Sequence, residues 1–176
     1  MTSVGVVVAK KESKRFPGKN LYKVQGVPLF WHAVEALKKS GVDDVYVATN
    51  SEIISEYCTD RRIKIIWRGV NASENEESLF SLLKFCYKSI SKKYDYMVNV
   101  LANSIGHTGE DVNKALNLIV ENPTLKEIRS YDLRGIENGI LVVSTDIFSR
   151  HEISSYVGMI RDNAKEIHCI EDLDDT

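Results

Sequence analysis

The sequence has 176 residues, of which 43% are hydrophobic, and a formal net charge of −2 at pH 7. These values fit one domain with its own core, and the weak charge argues against a protein that coats nucleic acid through its overall field. No apolar run approaches the roughly 20 residues that cross a bilayer, and no signal-peptide core is present, so we expect a soluble cytoplasmic protein. Cys58, Cys86 and Cys169 are widely spaced without a CxxC pair, which favours reduced thiols over a disulfide framework or zinc site.

Strand and helix patterns alternate along the first two thirds of the chain. The nearly continuous apolar run Val4–Ala9 predicts a strand buried on both faces. Pro28 occupies a first-turn position, which predicts a helix from Pro28 that ends at Gly41. The other elements predicted here are the strands Asp44–Thr49, Arg62–Trp67 and Tyr94–Leu101 and the helices Glu52–Cys58, Ser78–Ser91 and Glu110–Glu121, with Ser51 and Thr108 as caps. This alternation predicts an α/β three-layer sandwich with a mainly parallel central sheet.

The last third of the chain has a less regular pattern. We expect a short helical turn near Asp146–His151, and an acidic tail closes the sequence at 171–175. The predicted strands are Lys126–Tyr131, Gly139–Ser144, Ser154–Ile160 and Glu166–Ile170. The tail has two interpretations, a frayed solvated end or a source of metal-binding carboxylates.

A strongly basic loop follows the first strand. The cations within residues 10–20 are Lys10, Lys11, Lys14, Arg15 and Lys19. Against them stands a single carboxylate, Glu12, in a protein that is mildly acidic overall. Such a loop suits a polyanion at the carboxyl end of the sheet, held by point charges and backbone N–H groups. The alternative is a solvated surface run that happens to follow a strand.

The loop also carries a specific pattern of residue types. The block Ala9-Lys10-x-x-Ser13-Lys14-x-x-Pro17-Gly18-Lys19-Asn20-Leu21 is followed by Gly26-x-Pro28-Leu29 and by Thr49-Asn-Ser-Glu52. Over roughly residues 4–122 the chain resembles the acylneuraminate cytidylyltransferases, or CMP-sialic acid synthetases, and more distantly the CMP-Kdo synthetases. The resemblance implies a Rossmann-like (GT-A-like) nucleotidyltransferase fold, CTP as donor, Mg²⁺ as cofactor and an acidic 2-keto sugar as acceptor. It also implies that the sugar's anomeric hydroxyl attacks the α-phosphate and expels pyrophosphate.

The resemblance assigns roles to individual residues. Lys10 and Lys19 are the expected catalytic cations, since transfer of this kind depends on positioning and charge stabilisation. The expected nucleotide-binding residues are Ala9, Lys10, Ser13, Lys14, Lys19, Asn20, Arg68, Asn103 and Ser104. The expected metal ligands in the acidic tail are Glu171, Asp172 and Asp174. Arg68 could instead cap its strand or pair with Glu74, and turn chemistry would explain Asn103 and Ser104 equally well.

Several positions depart from the family pattern. Lys10 stands where the family has an arginine and loses its bidentate fork. After the fourth strand, Leu101 replaces a glutamine, Asn103 falls near an aspartate metal ligand of the Kdo branch, and His107 replaces an arginine. We expect His107 to be an ordinary loop residue. Cys169 aligns with a metal aspartate, although a thiol is a poor ligand for Mg²⁺.

The acceptor side of the chain is short. Between Glu121 and Asn138 lie only about 16 residues, too few for the long segment that shapes the sugar pocket and reaches across a dimer in the family. We therefore predict a single domain, 1–176, with a nucleotide-binding part at 1–122 and a shortened acceptor part at 123–176. A homodimer is left open, and neither nucleic acid nor membrane is an expected partner.

Two other functions compete with the cytidylyltransferase hypothesis. The first is a catalytically degenerate relative that binds a nucleotide or a protein partner without turnover. The second, a nucleotide-sugar glycosyltransferase, is disfavoured because Asn103-Ser104 does not supply an Asp-x-Asp after the fourth strand.

Overall fold

The computed structural model describes residues 1–11, 13, 16–69, 78–149 and 156–173. These residues form short and long strands, four α-helices and several 3-10 turns. In chain order the elements are β1 (Ser3–Ala9), β2 (Lys23–Val24), β3 (Val27–Pro28), α1 (Leu29–Lys38), β4 (Asp44–Thr49), α2 (Glu52–Thr59), β5 (Lys64–Trp67), α3 (Leu79–Ser89), β6 (Tyr96–Val100), β7 (Ser104–Ile105), α4 (Gly109–Glu121), β8 (Glu127–Tyr131), β9 (Glu137–Ser144), β10 (Val157–Arg161) and β11 (Lys165–Glu166).

A seven-stranded sheet organises the described part of the chain. Its strand order is β10-β8-β9-β6-β1-β4-β5. β1 pairs in parallel with β4 and β6, β4 with β5, and β8 with β10. β9 lies between β6 and β8 and runs antiparallel to both. The predicted α/β sandwich with a mainly parallel central sheet is confirmed.

Helices cover both faces of this sheet. Alternate residues of β1 point to opposite faces, so that Val7 and Ala9 join a core with α1, α2 and α4, whereas Val4 and Val6 join a second core with α3. This double burial explains why the sequence of β1 is nearly all apolar. The two short pairs, β2–β3 and β7–β11, lie outside the main sheet.

The predicted helix caps are confirmed. The Ser51 hydroxyl accepts a hydrogen bond from the Ile54 N–H at 3.4 Å. Thr108 and Asp111 form a capping box at the start of α4. Among the described residues, no helix combines the length and the apolar character that crossing a membrane requires.

Some predicted boundaries were wrong. The predicted strand Glu166–Ile170 is mostly absent, because β11 stops at Glu166 after pairing with the two-residue strand β7. Helix α1 ends at Lys38 rather than just before Gly41. β5 begins at Lys64 because Arg62 has a φ of +58°, which no strand accommodates.

Other boundaries were close. The helical turn predicted near residue 146 is a 3-10 turn, Thr145–Phe148. β10 begins at Val157, and the first two residues of its predicted span, 154–155, lie outside the described residues.

Candidate functional site

The described residues of the basic loop follow β1 directly and are held by two asparagine side chains. The Asn20 side-chain amide donates to the Lys10 carbonyl oxygen at 2.9 Å, and the Lys11 N–H donates to Asn50 Oδ1 at 2.9 Å. Gly18, with φ +71°, precedes the 3-10 turn Lys19–Leu21. Asn20 therefore anchors the loop to its own first residue.

Lys19 reaches from this loop to the last part of the chain. Its Nζ donates to the Ile167 carbonyl oxygen at 3.1 Å, and the residue is half-buried. Lys10 and Ser13 are also half-buried, and Lys11 is exposed. The remaining two cations of the loop, Lys14 and Arg15, lie outside the described residues.

Asn103 meets Lys19 at the same backbone carbonyl. The Asn103 amide donates to the Ile167 oxygen at 3.2 Å, and the Asn103 carbonyl accepts from the Ile167 N–H at 2.7 Å. Ser104 instead directs its hydroxyl into the protein, where it donates to the Asn138 carbonyl at 2.8 Å. Asn103 and Ser104 were both predicted to bind the nucleotide. Asn103 lies beside Lys19, whereas the Ser104 side chain points into the interior of the protein.

Arg68 is buried at the end of β5. Its residue is 5% exposed, and its N–H donates to the Thr49 carbonyl at 3.0 Å. Burial raises the pKa of the Cys86 thiol in α3 to about 12, and the positive charge of Arg68 acts in the opposite direction. Glu74, the alternative partner considered for Arg68, lies outside the described residues.

The acidic tail folds back onto the chain. Leu173 packs with Val24, Leu29 and Ile167 in a small apolar cluster. Asp172 Oδ2 accepts from the N–H groups of His168, at 2.6 Å, and Cys169, at 3.0 Å. These backbone hydrogen bonds lower the pKa of the Asp172 carboxyl.

Two of the three predicted metal ligands belong to the described residues. Within those residues, no group of three or more His, Cys, Asp or Glu side chains could hold a metal ion. Asp172 uses one carboxylate oxygen on the N–H groups of His168 and Cys169, Glu171 is exposed, and Asp174 lies outside the described residues.

Two features of the site were not predicted. Asn50 anchors the loop, and its place directly after β4 was the available signal, since parallel strands present ligands at their carboxyl ends. His107 lies in the loop between β7 and α4, as expected, but its side chain is 2% exposed and lies 3.1 Å from Asp162 Oδ2. The burial and the contact were not predicted because the partner is distant in sequence.

Curated proteins with known names are similar to part of this chain. The N-acylneuraminate cytidylyltransferase of Streptococcus agalactiae serotype V is 30% identical over 87 residues, which cover 48% of this chain and 21% of that protein. The 3-deoxy-manno-octulosonate cytidylyltransferase of Bdellovibrio bacteriovorus is 29% identical over 126 residues, which cover 71% of this chain and 49% of that protein. The matches therefore span less than half the length of these curated relatives.

Solved structures share the fold. A CMP:2-keto-3-deoxy-manno-octonic acid synthetase complexed with CTP superimposes with a TM-score of 0.80 at 16% identity, covering 99% of this chain and 96% of the other. A cytidylyltransferase from Leptospira borgpetersenii superimposes with a TM-score of 0.75 at 15% identity, covering 98% and 83%. The sequence profile of the family described as "Cytidylyltransferase" matches residues 4–153. Because that match spans most of the chain, the protein belongs to the cytidylyltransferase family.

Proposed function

We propose that this chain transfers CMP from CTP to an acidic 2-keto sugar of the sialic acid or Kdo type and releases pyrophosphate. The observation that best supports this proposal is the meeting of Lys19 and Asn103 on the Ile167 carbonyl, beside the carboxyl ends of the parallel strands. An anchored basic loop thereby faces a segment from the acceptor part of the chain. The names of the curated relatives supply the two acceptor types.

The proposed reaction is one displacement at phosphorus. The anomeric hydroxyl oxygen of the sugar bonds to the α-phosphorus of CTP, the bond from that phosphorus to the bridging oxygen breaks, and pyrophosphate leaves. The proton of the hydroxyl passes to solvent. In this scheme Lys10 and Lys19 hold the phosphates and offset the charge on the transferring group. Removing one such preorganised group typically lowers kcat by about 10²–10³-fold.

We propose that Mg²⁺ accompanies the triphosphate. Mg²⁺ is usually bound by one or two carboxylates together with substrate phosphates, so a preformed cluster of protein ligands is not required. Glu171, Asp172 and Asp174 are the candidate carboxylates, and Asp172 Oδ2 already accepts from two backbone N–H groups. The ion would neutralise phosphate charge.

We propose that the reaction takes place in the reducing cytoplasm. The free thiols of Cys58 and Cys86 support this location.

Calorimetric titration of CTP with Mg²⁺ tests the nucleotide half of the proposal. We expect saturable heat with the natural chain, and loss of that heat in Lys19→Ala, because the variant lacks the ammonium that reaches across the site. Lys88→Ala is the matched control, since Lys88 is an exposed lysine on α3. Circular dichroism checks that each variant is folded. Unchanged CTP affinity in a folded Lys19→Ala would contradict the phosphate role.

A pyrophosphate-release assay tests the transfer half. N-acetylneuraminic acid and 3-deoxy-manno-octulosonic acid are each supplied with CTP and Mg²⁺, and at least one should yield pyrophosphate in proportion to CMP-sugar. Binding of CTP without release for any 2-keto sugar acid in a wider panel would identify a relative that binds nucleotide without turnover.

A further inference from the structure

A cluster of buried polar side chains begins at Ser104, next to Asn103 in the chain. We define the His107 cluster by its members Ser104, His107, Ser130, Asn138 and Asp162. The side chains of His107 and Asp162 are each only 2% exposed. His107 Nδ1 lies 3.1 Å from Asp162 Oδ2, and His107 Nε2 lies 2.9 Å from the Asn138 carbonyl oxygen.

Both ring nitrogens of His107 face an oxygen atom. A backbone carbonyl can only accept, so Nε2 donates to Asn138. The other oxygen of Asp162 accepts from the Ala164 N–H at 2.9 Å and from the Asn138 side-chain amide. Burial of Asp162 raises its pKa, but the hydrogen bonds from His107, Ala164 and Asn138 outweigh that effect and lower it overall. His107 therefore bridges the Asp162 carboxyl group and the Asn138 backbone carbonyl.

The cluster joins three segments that are distant in sequence. Ser104 and His107 follow β6 and donate to one carbonyl, that of Asn138 at the start of β9. The Asn138 side chain accepts from the Ser130 hydroxyl of β8 at 2.5 Å and donates to the Ala164 carbonyl at 3.2 Å. These buried hydrogen bonds therefore tie β7, the β8–β9 hairpin and the turn before β11 together.

The same segments carry the groups that meet at the candidate site. Asn103 precedes Ser104, and Ile167 follows the turn that Asp162 and Ala164 stabilise. Ile167 accepts from both Lys19 and Asn103. The nucleotide loop has separate anchors, through Asn20 and Asn50, which do not involve the cluster.

We propose that His107 is a positioning residue for the acceptor side of the site: paired with Asp162, it holds the Asn103 turn and the Ile167 segment against the Lys19 loop. The role rests on the proposed transfer reaction, and His107 contacts no substrate in it. The imidazole is needed at this position because it contacts two buried oxygens at once, Asp162 Oδ2 and the Asn138 carbonyl oxygen, and loss of a buried hydrogen bond leaves a desolvated partner. Displacement of the Asn103 turn would misplace the acceptor more than the nucleotide.

Kinetics of His107→Gln test this proposal. We expect kcat/KM for the preferred 2-keto sugar acid to fall about 10- to 100-fold, the usual scale for a misplaced substrate. The dissociation constant of CTP should change less than about threefold, well under one tenfold step in affinity. His32→Gln is the control, because His32 is a half-buried histidine that contacts the Val24 carbonyl at 3.0 Å outside the cluster. It should leave both constants unchanged.

Rescue experiments separate positioning from general stability. A cavity of about 600 Å³ between α1 and the β7–β11 pair borders His107, so His107→Ala should accept free imidazole from solution and regain acceptor turnover. The same cavity gives room for His107→Arg, which supplies hydrogen-bond donors to both oxygens and should retain activity if the glutamine variant fails to fold. Unfolding temperature is measured for every variant.

The outcomes are distinguishable. An active natural chain whose His107→Gln form has a lower melting temperature but unchanged kinetics would overturn the positioning role. An inactive His107→Arg that is fully folded would also overturn it. Failure of the proposed function itself would be seen in the natural chain, as absent CTP binding or absent pyrophosphate release, and would remove the role with it.

Discussion

Replacement of Gly139 by alanine tests the close packing around the His107 cluster. Gly139 has a φ of +126°, and a Cβ at this position would lie 2.2 Å from Ser104 Oγ and 3.0 Å from His107 Nε2. The backbone conformation costs a non-glycine residue about 1–3 kcal/mol. Overpacking of a well-packed interior adds about 1–3 kcal/mol. We therefore expect Gly139→Ala to lower the free energy of unfolding by about 2–6 kcal/mol.

The matched control is Gly135→Ala in the turn between β8 and β9. Gly135 has a φ of +83°, but among the described residues no heavy atom lies within 4 Å of its ideal Cβ position. This variant should lose only the backbone contribution of about 1–2 kcal/mol. Urea denaturation followed by circular dichroism measures both losses, and calorimetry should show about 2–4 °C for each kcal/mol in a chain of this size. Equal destabilisation by the two substitutions would refute the close approach of Gly139 to Ser104.

Two further predictions concern Asp44, at the start of β4, and the nucleotide loop. Asp44 accepts hydrogen bonds from Lys64, Lys92 and Tyr94, and the bond from Lys64 contributes most to lowering its pKa below the ordinary 3.8. Its stabilising effect is therefore complete above pH 3.8 and declines as the pH falls through the lower folded-state value, so urea denaturation should show the Asp44→Asn deficit at pH 7 shrinking in stronger acid. Asn20→Asp loses the donor to the Lys10 carbonyl and adds a negative charge beside the phosphates, so calorimetry should show CTP affinity reduced at least about tenfold; an unchanged affinity would mean that the loop does not meet the nucleotide.

The sequence predicted those parts of the fold that depend on local patterns. β1 and β4 were predicted because an apolar run of this length has few alternatives, and the caps at Ser51 and Thr108 were predicted because capping needs only residues three positions apart. The loop residues Lys19 and Asn20 were identified by their order along the chain. Their neighbour in space, Ile167, could not be, because a backbone carbonyl has no sequence signature.

Pairings between distant segments were beyond these patterns. β9 lies between β6 and β8 and runs antiparallel to both. The hydrophobic pattern of a strand does not indicate its direction or its neighbours in the sheet. β7 and β11 are two residues each, too short for an alternating pattern, so the segment after Glu166 was wrongly predicted as a strand. His107 and Asp162 are 55 positions apart. A single histidine in a polar loop gives no indication that its side chain will be buried or that it will contact a distant carboxylate.

We propose that residues 123–176 are a shortened acceptor part in which a later segment takes the place of a long arm. The residues between α4 and Asn138 are used almost entirely by β8 and its tight turn into β9, so they cannot also form a long arm over the sheet. The segment after β10 instead returns to the carboxyl ends of the strands and presents the Ile167 carbonyl to Lys19. Asn103 holds that segment through two hydrogen bonds, and the buried contact between His107 and Asp162 lies close to both in the chain. In our proposal this contact aligns the acceptor side with the nucleotide loop, so its contribution is to geometry more than to net stability.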